Sequence, residues 1–109
     1  MGTISIDDFR NVQLRIATIL AAEPHPNADR LMVLQIDLGD EKRQLVAGIR
    51  GHYESAALLG KQIVVVANLQ PATLRGLESQ GMLLAATDTD GRLALVTPDR
   101  PVAVGSGVR

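Results

Sequence analysis

The chain of 109 residues has no cysteine and no tryptophan. Without cysteine, a disulfide framework and any thiolate metal site are excluded. Aromatic residues make up 2% of the chain, Phe9 and Tyr53 alone, so the interior has to be built from Leu, Ile, Val and Ala. No apolar stretch approaches the ~18–20 residues that span a bilayer, so no membrane partner is expected. No basic segment followed by an apolar stretch opens the chain, so no secretory signal is expected and the cytoplasm is the default compartment. An excess of one charge sign is missing too: 11 basic and 12 acidic residues leave a net charge of −1. Nucleic-acid-binding domains are usually basic overall, so the total argues mildly against that class, although a local patch decides.

What is present is a hydrophobic fraction of 46%, which rules out intrinsic disorder. The length fits one domain, residues 1–109 with a core at about 4–107. Nine of the eleven cations are arginine. Arginine suits planar, bidentate recognition of phosphate and equally serves plain surface ion pairs.

Ser5-Ile6-Asp7-Asp8 reads as a helix start, with Ser5 as N-cap and an acidic residue three places on. From Val12 the period becomes two. Val12, Leu14, Ile16, Leu20 and Ala22 share one face, and Gln13 and Arg15 point the other way, as in a long strand. Pro24 and Pro26 end it. Residues 31–38 and 43–47 read as strands two and three, a hairpin turning at Gly39-Asp40. Residues 53–59 read as a short helix closed by Gly60, and 62–67 as a buried fourth strand. Residues 68–81, with Pro71, Gly76 and Gly81, read as a connection without regular structure. Residues 82–86 and 92–96 read as strands five and six, and the tail from Thr97 wraps the surface. The order predicts an all-β fold: a five-stranded OB-fold barrel with a short helix between strands three and four and a C-terminal strand extension. A generic β-sandwich would not need that helix.

In such a barrel, ligands lie across strands two and three, between the connections joining strands one to two and four to five. Here those are residues 23–30 and 68–81, and so long a connection in a small chain is often functional. Arg30, Arg43 and Arg75 are expected near that face. Asn27, Asn68 and Ser79 add neutral hydrogen-bonding groups, and Met82 an adaptable apolar contact. Singly, each arginine reads as a solvated charge and each asparagine as a turn residue. Their grouping raises the functional reading.

No enzyme signature survives inspection. Around Ser79 the first glycine, Gly76, lies one place too far back for G-x-S-x-G. The same glycines have phosphate-loop spacing, but Met82-Leu83 stands where Lys and Ser/Thr are needed. His25 and His52 have no evident third zinc ligand. Asp88-Thr89-Asp90-Gly91 is a hairpin turn, with glycine too early for a calcium loop. Neither cofactor nor metal is expected.

Several motifs in order resemble a known family. They are His25-Pro26-Asn27-Ala28-Asp29-Arg30-Leu31, Arg43-Gln44-Leu45-Val46-Ala47-Gly48-Ile49, Asn68-Leu69-Gln70-Pro71, and Leu74-Arg75-Gly76-Leu77-Glu78-Ser79-Gln80-Gly81-Met82. The chain from about Ile4 to Gly107 is similar to the tRNA-binding domain family, which includes stand-alone bacterial proteins and the C-terminal appendix of methionyl-tRNA synthetases. The resemblance implies an OB-fold homodimer that grips folded tRNA by shape, at its outer corner, with little sequence preference and no chemistry. It implies RNA contacts from Asn27, Arg30, Arg43, Ser79 and Met82, supported by Asn68 and Arg75. Gln70, Ala72, Thr73 and Gly107 are neutral where relatives tend to be basic, in keeping with the net charge of −1. The scarcity of aromatics speaks against base stacking on single strands and favours a folded RNA read through backbone and 2′-hydroxyls.

The expectation is a non-catalytic tRNA-binding module, dimeric, with no DNA partner. Two alternatives stay open. One is the same domain as part of a methionyl-tRNA synthetase, which Met1-Gly2 does not decide. The other is a chaperone-like or protein–protein interaction module using the barrel face for peptides.

Overall fold

Ser5 starts the first element as expected. Its hydroxyl accepts the Asp8 N–H at 3.0 Å and caps α1 (Ile6–Arg10). The computed structural model describes residues 2–109. β1 (Leu14–Pro24) follows and serves two neighbours: Leu14 to Thr18 pair with β4 (Gln62–Val66), and Thr18 to Pro24 with β2 (Met32–Asp37). The ladder shifts between Ile19 and Ala21, leaving Leu20 as an extra residue. Such a bulge sharpens strand twist, and here it bends β1 around the sheet. β2 turns into β3 (Lys42–Ala47) in register from Met32↔Ala47 to Asp37↔Lys42. The order β3-β2-β1-β4-β7, with β7 at Met82–Leu83, makes a nearly closed five-stranded barrel of OB-like, all-β type. Leu34, Ile36, Leu45, Ile63 and Val65 fill it and are buried almost completely. The short helix α2 (Ser55–Leu58) stands between β3 and β4, where the sequence predicts one, and inserts Leu58 into the core.

Closure between β3 and residues 78–81 does not use an ordinary ladder. Gln80 N–H donates to the Gln44 carbonyl at 2.8 Å. In return Gln44 N–H donates to Gln80 Oε1 at 3.0 Å, and Val46 N–H to Ser79 Oγ at 2.9 Å. Two side chains stand in for a missing strand partner.

Four expectations are corrected. The core side of β1 carries Ala17 and Ile19, not the face of Val12, Leu14 and Ile16. Ile16 is buried on the opposite side, where the tail crosses it: Gly105 N–H donates to its carbonyl, and its own N–H to Ser106. Both sides of β1 are therefore covered, and alternation alone could not pick the inner one. Residues 68–81 are not irregular, because they contain the hairpin of β5 (Ala72–Leu74) and β6 (Leu77–Ser79). The expected fifth strand breaks at Leu84 into β7, on the barrel, and β8 (Ala85–Thr87). β8 pairs with β9 (Leu93–Leu95) as a separate hairpin, and the tail returns as β10 (Gly107–Val108) beside β1.

Gly81 sits in the seam with φ +139°, and a Cβ there would meet the Val66 carbonyl oxygen at 3.0 Å and Val65 Cγ1 at 3.3 Å. Gly81→Ala should therefore cost roughly 1–3 kcal/mol through strain and overpacking. A lower urea midpoint with an unchanged slope is the expected result, and a wild-type midpoint would contradict it.

Candidate nucleic-acid interface

Two connections rise from the same end of the barrel. The first, residues 25–31, is fixed from within: His25 N–H donates to the Leu31 carbonyl at 3.0 Å. Arg50 reaches in from beyond β3 and donates to the Ala28 carbonyl at 3.2 Å and the His25 carbonyl at 3.5 Å. The second is the β5–β6 hairpin. Leu74 and Leu77 pair across a two-residue loop, Arg75 with φ +51° and Gly76 with φ +89°. Positive φ at both positions is the signature of a type I′ turn, which favours Asn-Gly. Among the described residues Arg75 is the one non-glycine with positive φ.

Between these connections lies a groove of about 570 Å³ lined by Ala28, Asp29, Arg30, Leu31, Thr73, Leu74 and Arg75. Arg30 and Arg75 are both exposed. Among the described residues neither pairs with a carboxylate, whereas Arg10, Arg15, Arg43, Arg92 and Arg100 all do. Two unneutralised guanidinium groups facing one groove can hold phosphates bidentately. Asn27 is exposed at the same connection, and Met82, 48% exposed, opens β7.

The other three residues expected at the site are engaged in holding the fold. Arg43 lies on the same side of β3 as Leu45, and its side chain is 20% exposed. Its Nη1 donates to the carbonyls of Ala67 at 2.5 Å and Gln80 at 3.3 Å, while Nε and Nη2 hold the Glu41 carboxylate. Four of its five N–H groups are thereby used. Ser79 is buried, and its hydroxyl accepts from Val46 N–H and donates to the Gly81 carbonyl at 3.0 Å. With its one proton committed, it can only accept from a ligand. Asn68 takes the Gln13 N–H at 2.8 Å and donates to the Asn11 carbonyl at 2.6 Å, joining β4 to the end of α1.

The hydrogen bond from Arg43, with its charge, holds the Glu41 carboxyl below its ordinary 4.5, and Arg15 likewise lowers Asp40. Carboxylates with depressed folded values support the fold above their unfolded values and lose that support as pH falls through the folded ones. Both side chains are solvent-exposed, so acid should only slightly loosen the seam through Glu41, and the contact of Arg15 with the β2–β3 turn through Asp40.

Sequence reasoning missed His25, Gln44, Arg50 and Gln80. The first was considered as a zinc ligand and set aside. Among the described residues no group of three or more His, Asp or Glu could hold a metal ion. Nothing in spacing marks the other three, because their partners lie far away in sequence.

The fold and groove define a small OB-like barrel that presents a cationic groove between its first and its fourth-to-fifth connections. The chain belongs to the family described as putative tRNA binding domain, whose model matches residues 14–107. It is 51% identical over its full length to a methionine–tRNA ligase of Thermococcus kodakarensis, and 58% identical over 107 residues to that of Thermotoga maritima. It spans only 15% and 17% of those two proteins. Among solved structures it is similar to a MetRS-related protein from Pyrococcus horikoshii, with TM-score 0.94, 34% identity and full coverage of both chains. It is also similar to the chaperone CsaA of Bacillus anthracis, with TM-score 0.90 and 29% identity over 99% of this chain and 100% of that one.

Arg43→Ala and Ser79→Ala should each lower stability by about 1–3 kcal/mol, since buried backbone groups lose their partners. Arg30→Ala should stay within about 0.5 kcal/mol of wild type, as an exposed unpaired side chain does. Thermal or urea unfolding of the three variants tests this division between fold and groove.

Proposed function

We propose that the chain binds folded tRNA through the groove between Arg30 and Arg75, without chemistry of its own, and acts as a homodimer. The observation that carries the reading is Arg75. An asparagine would sit more easily in its left-handed turn position, yet an arginine stands there, opposite a second unpaired arginine. Strain kept at an exposed tip is a pointer to function. Family membership supports tRNA as the ligand. In this reading Asn27, exposed beside the groove, and Met82, exposed on β7, add further contacts, and Arg43, Asn68 and Ser79 each keep some bonding capacity toward RNA while chiefly holding the loops. Short and flexible groups of this kind suit a preformed RNA surface better than a base-by-base code.

The dimer reading rests on an apolar depression of about 630 Å³ away from the groove. Ile6, Phe9, Val12, Leu14 and Val108 are among its lining, with Ile6 61% and Val12 41% exposed. A contiguous apolar surface of this kind is characteristic of an interface. Two copies would place four groove arginines on one particle and gain by avidity. Sedimentation should give a particle of twice 11.6 kDa at micromolar concentration, and a monomer would end the dimer reading.

Higher identity to the ligases than to the MetRS-related protein supports a place as an appendix of a methionine–tRNA ligase. The likeness to the CsaA chaperone favours a second reading, peptide binding on the barrel face. Salt separates the two. Four phosphate-neutralising arginines should give a fall in log K of roughly 3–4 per decade of salt, whereas apolar peptide binding should be almost flat. Two different elongator tRNAs should compete equally, and a single strand of equal length worse.

Arg75→Asn should act in opposite directions on stability and binding. The turn should gain about 0.5–1 kcal/mol from relief of its left-handed strain. Affinity for tRNA should fall about tenfold or more through loss of a charge-assisted phosphate bond. Unchanged affinity in the stabilised variant would remove the groove from the RNA site.

A further inference from the structure

The hairpin that carries Arg75 is tied to the connection that carries Arg30 through one side chain, the imidazole of His25, which is 2% exposed. Its Nε2 lies 3.1 Å from the carbonyl oxygen of Leu74, the residue before Arg75. Its Nδ1 accepts the Asn27 N–H at 2.9 Å. A carbonyl can only accept and a backbone amide N–H can only donate, so the two partners select the neutral ring with its proton on Nε2. The backbone around the ring is held as well, by the Leu31 carbonyl and by Arg50. The imidazole is thus a rigid spacer between the two walls of the groove.

We propose that His25 is a positioning residue that sets the separation of Arg30 and Arg75 across the groove, through a ring that accepts from Asn27 and donates to Leu74 at once. The proposal rests on the tRNA-binding reading above. The ring has to meet both partners at once: without Nε2 the Leu74 carbonyl loses its link to the first connection, and without Nδ1 the Asn27 N–H loses its acceptor. Either loss frees one wall of the groove from the other.

The test compares wild type, His25→Gln and His25→Ala in binding to bulk tRNA. Amide hydrogen exchange of the free proteins is followed in parallel. Glutamine offers one amide donor and one acceptor about as far apart as the two ring nitrogens. His25→Ala is expected to lose about tenfold in affinity. Its Asn27 and β5–β6 amides should exchange about tenfold faster or more, since the local opening free energy falls. His25→Gln is expected to keep most of the affinity and of the exchange protection. Unchanged affinity and exchange in a folded His25→Ala would overturn the proposal. So would a glutamine variant that loses as much affinity and protection as the alanine one. Should wild type bind no tRNA, the functional reading fails by itself, and exchange in the free proteins still decides whether His25 holds the groove.

Discussion

The seam where β3 meets residues 78–81 is the constraint on which the rest of the molecule depends. A five-stranded barrel that stopped at β7, a strand of two residues, would leave the N–H groups of Gln44 and Val46 without partners. Buried backbone groups in that state are costly, on the order of 1–3 kcal/mol each. Ser79 and Gln80 supply the missing acceptors from their side chains, and Gly81 permits the approach because it has no Cβ to strike the Val66 carbonyl. Arg43 then braces the seam by donating to Gln80 and Ala67 together. The hairpin of β5 and β6 springs from this closure, so the position of Arg75 is a consequence of how the barrel shuts.

Charge is used sparingly. Five arginines are spent on carboxylates of the same chain and Arg50 on backbone carbonyls, which leaves the groove pair as the concentrated free positive charge at that end of the barrel. A chain with net charge −1 cannot attract a polyanion by its overall field. In the proposed reading, affinity comes from geometry, with two guanidinium groups on one groove, and from repetition of that pair on a second copy. Preorganisation of this kind lowers the ordering cost of binding. Rigid walls matter more here than extra cations would.

Much of this was legible in the sequence, and the failures have identifiable physical causes. The Ser5 cap, the β2–β3 hairpin and the helix before β4 follow from local rules of capping, alternation and turn placement. The inner face of β1 did not, because the bulge at Leu20 and the tail over Ile16 put apolar residues on both sides of the strand. The β5–β6 hairpin was hidden because its turn is Arg-Gly where Asn-Gly would have announced it. The internal duties of Arg43, Ser79 and Asn68 depend on partners 24, 33 and 57 residues away, and no spacing rule reaches that far. Composition pointed to arginines and small polar groups; only tertiary contacts separate those exposed at the groove, Arg30 and Arg75, from those that hold the loops.

β1 also explains how one small barrel can keep the cationic groove and the apolar face apart. Its first half pairs with β4 and β10 and carries Leu14, part of the apolar depression, while its second half pairs with β2 and leads into the His25 connection. The bulge at Leu20 lies between the two halves and absorbs the change in direction. Because each half is anchored by different neighbours, a change at the Ile6–Val12 surface need not travel along the strand to the groove. In the proposed dimer, association and RNA binding would be coupled through avidity alone. Disrupting the apolar face would then weaken binding by removing the second copy of the groove, while leaving each single groove intact.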